Sequence, residues 1–108
     1  MLDPSTAAAR GAALKHARAI RDAYPAYWGE VPLPFLALKV REWQRQIEDA
    51  GIWEPEDAGR IISAVFSPAP ELIEPSLMEY ALSIMTGTQA APEARSMSIA
   101  AALGPAAR

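Results

Sequence analysis

The chain has 108 residues, ten of them Lys or Arg against thirteen Asp or Glu, with one histidine and no cysteine. That length makes one domain able to bury roughly 60–70% of the surface of its unfolded chain, so it needs neither disulfide nor metal to hold a core. The absence of cysteine excludes thiolate zinc sites, iron–sulfur clusters and thiol nucleophiles, and no apolar run approaches the ~20 residues of a membrane span.

The opening MLDPSTAAAR places an acidic residue and a proline where a secretory signal has a basic start and a long apolar core, so the expected location is cytoplasmic. A first helix is expected from Pro4 or Ser5, capped by Asp3 or Ser5, through an alanine-rich stretch to Tyr24, where Pro25 ends it. Ala13, Ala17, Ile20 and Tyr24 share a narrow stripe of mostly small residues, while Arg10, Lys15, Arg18, Arg21 and Asp22 spread around it. Such a helix packs closely against a neighbour or waits for one. The segment from Tyr24 to Phe35 reads as an extended crossing, because its prolines oppose both a regular helix and a central strand. Its rings either close over the core as a lid or, through Tyr27 and Trp28, form a contact patch.

The longest amphipathic signal follows. Leu36, Val40, Trp43 and Ile47 fall at i, i+4, i+7 and i+11, predicting a helix from Pro34 to Gly51, a residue suited to the left-handed turn that ends one. Ile52 and Trp53 should fold back against its end. Glu54-Pro55-Glu56-Asp57 opens a third helix, its carboxylates at the positive end of the dipole, and Ala58, Ile61, Ile62 and Val65 form the buried stripe up to Phe66. Ser67-Pro68-Ala69-Pro70 stops it. A link anchored by Leu72 and Ile73 leads to a fourth helix, Ser76 to Met85, ended by Gly87. Thr88 to Arg95 reads as a linker, and Ser96 to Leu103 as a short helical arm stopped by Gly104-Pro105, too short to stand alone in water. The expected fold is therefore all-α: a small four-helix bundle over residues 1–87 with a proline- and aromatic-rich crossing, then a linker and C-terminal arm over 88–108. Val40, Trp43, Ile47, Ile61, Ile62, Val65, Leu77 and Leu82 should form the core.

The residues offer little for catalysis. His16 stands alone on the first helix, where a histidine ordinarily packs against a neighbour or faces water. Without a second histidine or a cysteine a metal would need carboxylates alone, and Glu54, Glu56 and Asp57 are accounted for by the helix start they occupy. Ser63 and Ser67 lack a base nearby in sequence, and no glycine-rich loop cradles a phosphate. No enzyme activity and no cofactor are expected. Two helices joined at Gly51 invite comparison with a helix-turn-helix, but the acidic first turn of the second would be repelled by phosphates. Charge is nonetheless uneven: Arg10, Lys15, Arg18, Arg21, Lys39, Arg41 and Arg45 lie in the front of the chain, whereas most carboxylates follow residue 45. The two halves either complement each other in one fold or leave a dipolar surface that steers a charged partner.

The order AYP, a central amphipathic helix and then AGIWEPEDAGRII is similar to small helical proteins encoded beside spike and effector genes of bacterial type VI secretion systems. The matching positions are Tyr24, Pro25, Ala50, Gly51, Ile52, Glu56, Asp57, Arg60, Ile61 and Ile62. The resemblance implies an accessory or adaptor protein that binds an effector or its chaperone. The residues themselves point the same way, to a non-catalytic interaction module: an adaptor, an accessory chaperone or a small subunit of a larger assembly, which the resemblance implies is bacterial. Its contact residues are expected to be Arg18, Arg21, Tyr27 and Trp28, with Met97, Ile99 and Leu103 on the arm. The partner is another protein, with no membrane involved and nucleic acid disfavoured. The alternative is a small DNA-binding regulator using the basic first helix.

Overall fold

Proline starts the helices of this chain. The computed structural model describes residues 4–87 and 89–103, and their regular structure is entirely helical: α1 Pro4–Ala23, α2 Pro25–Trp28, α3 Leu33–Asp49, α4 Pro55–Val65, a 3₁₀ turn Pro70–Leu72, α5 Pro75–Thr86 and α6 Pro92–Leu103. Each has a proline at its first or second position, where the missing N–H would have had no helical partner and the fixed φ is already helical. This overturns part of the expected layout. The all-α class holds, but the described residues form six α-helices where a four-helix bundle and a short helical arm were expected. The crossing contains a helical turn, because Pro25 begins α2 as well as ending α1. The C-terminal helix starts at Pro92, inside the expected linker. Asp3, Thr88 and the Gly104-Pro105 stop lie outside the described residues, as does the side chain of Ser5.

The end of α3 follows expectation. Gly51 has φ +83°, its N–H bonds the Glu48 carbonyl at 2.9 Å and the Ile52 N–H bonds that of Ile47 at 3.1 Å. This is a Schellman closure, and the two residues it brings together, Ile47 and Ile52, are both buried. Trp53 departs from expectation: it is 71% exposed.

The helices form two layers. α1 lies along α3, and α6 lies against both α4 and α5, while α4 touches α1 and α3 and so joins the layers. The molecule measures 36 × 36 × 19 Å, and its thin dimension is that of two helices of ~10 Å diameter. α4 and α6 run in the same direction: Asp57 and Arg60 meet Ser96 near their starts, and Ile61, Val65, Ile99 and Leu103 converge further along. Val40, Ile47, Ile61, Ile62 and Val65 are buried as expected. Trp43, Leu77 and Leu82 are partly buried, packed against that core rather than enclosed by it. Ile73 is buried but Leu72 is exposed, so one of the two expected anchors holds the link.

The segment expected as a free arm is seated in the core. Ile99 and Leu103 are 1% and 0% exposed, and burying each contributes about 1.5–3 kcal/mol. Arg95, expected in a solvated linker, is 5% exposed. Its Nε donates to the Ala90 carbonyl, and its Nη1 donates to the Ala50 and Met85 carbonyls at 2.9 and 2.6 Å. Ala50 and Met85 close α3 and α5, so the guanidinium meets the negative ends of two helix dipoles. One side chain thereby clamps three helices.

Candidate functional site

A groove of about 650 Å³ opens between α1, α4 and α6. The α1 residues lining this gap include Ala19 and Ala23, which are too small to fill it. Ile20, Ile62 and Phe66 form its apolar floor, and Ala100 of α6 lines the opposite wall. His16 of α1 lies over Gly59 of α4, where a Cβ would stand 3.3 Å from the histidine Cε1. Glycine in mid-helix lowers helix propensity, and here its missing side chain makes room for the imidazole. Burial, and secondarily the charge of Lys15, lowers the His16 pKa below its ordinary 6.5. The ring is therefore neutral at pH 7.

Two polar side chains of this groove, Arg60 and Ser67, are committed to holding the fold. Arg60 Nη1 donates to Asp57 Oδ1 at 3.0 Å and to the Ser96 hydroxyl at 2.7 Å, and Nη2 to Glu56 Oε1 at 3.3 Å. Ser96 is fully buried and Asp57 is 7% exposed, so this cluster ties α4 to α6. It also explains the acidic start of α4: two of the three carboxylates there face Arg60, and among the described residues no three metal-ligating side chains converge. The Ser67 hydroxyl donates to the Ser63 carbonyl, one turn back on α4.

The expected contact residues fall into two groups. Trp28 is 3% exposed, its indole Nε1 donates to the Pro68 carbonyl at 2.7 Å and its ring packs against Phe66. It is a core residue that fastens α2 to the end of α4, and together with Ile99 and Leu103 it is closed to a partner. Arg18, Tyr27 and Met97 are exposed, and Arg21 is half-buried. Met97 precedes the groove residue Ala100 by three residues, so the two are neighbours on the surface of α6. Tyr27 belongs elsewhere. Its hydroxyl donates to Glu71 Oε2 at 2.9 Å, a bond that raises the tyrosine pKa, and Glu71 also pairs with Lys39 at 3.7 Å. Around that pair Phe35 (62%), Leu38 (61%) and Leu72 (56%) are exposed, giving a second apolar surface.

Sequence reasoning missed the groove residues Ala19, Ala23, Arg60 and Ala100, and the clamp at Arg95. Alanines carry no signal of what they leave empty. Gly59, a helix-weakening residue inside a strongly amphipathic segment, was the available sign that something crosses there. No protein-family model matches this chain, and no curated protein or solved structure is similar to it.

Proposed function

We propose that this chain is a non-catalytic protein-interaction module, an adaptor, accessory chaperone or small subunit of a larger assembly, which seats an apolar helix of its partner between α1 and α6. The observation that carries this reading is the groove itself: small side chains line its walls, large apolar ones its floor, and two of its polar side chains, Arg60 and Ser67, already have partners within the fold. Helix-in-groove recognition uses such a trough, with apolar side chains of the incoming helix as anchors. Met97, with its exposed and adaptable thioether, adds an apolar neighbour to Ala100. The resemblance to accessory proteins of type VI secretion loci supports the same reading and suggests an effector or its chaperone as the partner class.

The test is affinity capture from the native host with full-length protein and with an Ala19→Glu/Ala23→Glu variant, both positions being exposed at the groove mouth. A Phe35→Ala/Leu38→Ala variant serves as control for the second apolar surface. Loss of a captured protein in the groove variant alone, at unchanged thermal stability, is the expected result. Capture that resists the groove substitutions, or no capture at all, overturns the proposal.

A further inference from the structure

We propose that the recess where α1, α3 and α4 meet binds a small alkylammonium ion. This recess, of about 240 Å³, lies on the other side of His16 from the groove and is bounded by Ala8, Ala12, Gln44, Glu48, Trp53 and Ala58. The inference does not rest on the protein-interaction reading.

Three observations select the ligand. Gln44 is 7% exposed, yet its Oε1 has no hydrogen-bond donor among the described residues. Buried acceptors are ordinarily paired, so an unpaired one beside a cavity calls for an N–H or O–H from outside. Trp53 stands at the same recess with 71% of its surface exposed, and an indole face is the strongest aromatic attractor of cations. Glu48 supplies a carboxylate that forms a loose ion pair with Arg41 Nη1 at 3.8 Å, with no hydrogen bond between them, so a closer donor can still be accepted. The surrounding chain is acidic: residues 46–59 include Glu48, Asp49, Glu54, Glu56 and Asp57 and no Lys or Arg.

An acceptor, a carboxylate and a π face around alanine walls fit a donor-rich cation on a short apolar stem. An ammonium group brings three N–H donors and a positive charge. An anion would meet Glu48, and a hydrocarbon would leave Gln44 unpaired. His16, which forms the inner wall, is uncharged at neutral pH and does not oppose a cation.

The test titrates the full-length chain with n-butylammonium chloride and follows the Trp53 indole N–H by NMR, assigned with Trp53→Phe. Sodium butyrate and n-butanol at matched ionic strength are the controls. A saturable shift with butylammonium is expected, with none from butyrate and at least tenfold weaker binding of butanol. Glu48→Gln and Trp53→Ala should each weaken the affinity about tenfold. Both positions lie at the rim, so these variants remain folded even where Gln44→Leu does not. A shift that rises linearly without saturating, equal saturation by butanol, or an affinity unchanged in both rim variants would overturn the assignment.

Discussion

The single histidine shows how one residue reports on the packing of two helices. His16 is half-buried at the α1–α4 crossing, and burial lowers its pKa below 6.5. The unfolded chain therefore binds a proton more readily than the folded one as pH falls through 6.5. Stability conferred by the neutral ring is complete above 6.5 and declines from there down to the lowered folded pKa. The charged group that acts on the ring is Lys15 on its own helix, while Arg60 of α4 and Glu48 of α3 line the two cavities on which His16 borders. Urea midpoints at pH 7.5 and 5.5 check this: the wild type should lose more stability on acidification than His16→Gln, and equal losses would show that other groups carry the dependence. The sequence left open whether His16 packs against a neighbouring helix or faces water. Its neighbour was not legible, since Gly59 identifies itself by the side chain it lacks. Gly51 was legible for the opposite reason, as glycine after an amphipathic run has one frequent meaning, the φ of +83° observed.

Helices were read well where a stripe of large apolar residues marked them and poorly where proline was the marker. The same residue that ends one helix begins the next. Read as a breaker, Pro25 hid α2, and a linker reading of the small polar stretch around Pro92 hid the first turn of α6. Arg95 suffered most, because a charged side chain in a small polar stretch looks solvated until helix C-termini are placed around it. The consequence belongs to α6 as a whole. With Ile99 and Leu103 buried and Arg95 holding carbonyls of α3 and α5, α6 is part of the folding unit. A chain ending at Ala90 should therefore lose its cooperative thermal transition and its near-ultraviolet circular dichroism. Ile99→Ala in the full chain should cost about 2–5 kcal/mol, a large share of the stability of a domain this size. Arg95→Met should cost about 1–3 kcal/mol by leaving buried carbonyls unpaired. A truncated chain that unfolds as cooperatively as the full one would restore the detachable arm.

The whole molecule carries its charge as the sequence distributes it. α1 and α3 hold seven of the ten basic residues, together with four acidic ones, while α4, α5 and α6 hold Arg60 and Arg95 against four acidic ones, and of the ion pairs in the described structure one, Lys39–Glu71, joins the basic layer to a later element, and it is half exposed. The opposite charges are thus mostly left to solvent, and this asymmetry is the physical basis for the DNA-binding alternative. Geometry weighs against that alternative. Arg10, Lys15 and Arg18 are exposed on α1, but the pair joined by Gly51, α3 and α4, presents Glu54 and Glu56 at the start of its second helix, and the total charge is −3. Phosphates would be drawn to one face of one helix, with no second element to enter a groove of the duplex. At about 0.15 M salt, a 20-base-pair duplex should bind no more tightly than the ~10⁻⁴ M of non-specific contact. Burial of apolar surface in the α1–α4–α6 groove, by contrast, is insensitive to that salt. Fluorescence anisotropy of a labelled duplex between 0.05 and 0.2 M salt, set beside partner capture over the same range, separates the two. Submicromolar duplex binding that falls steeply with salt and is lost in Arg18→Ala would transfer the function from the groove to the outer face of α1.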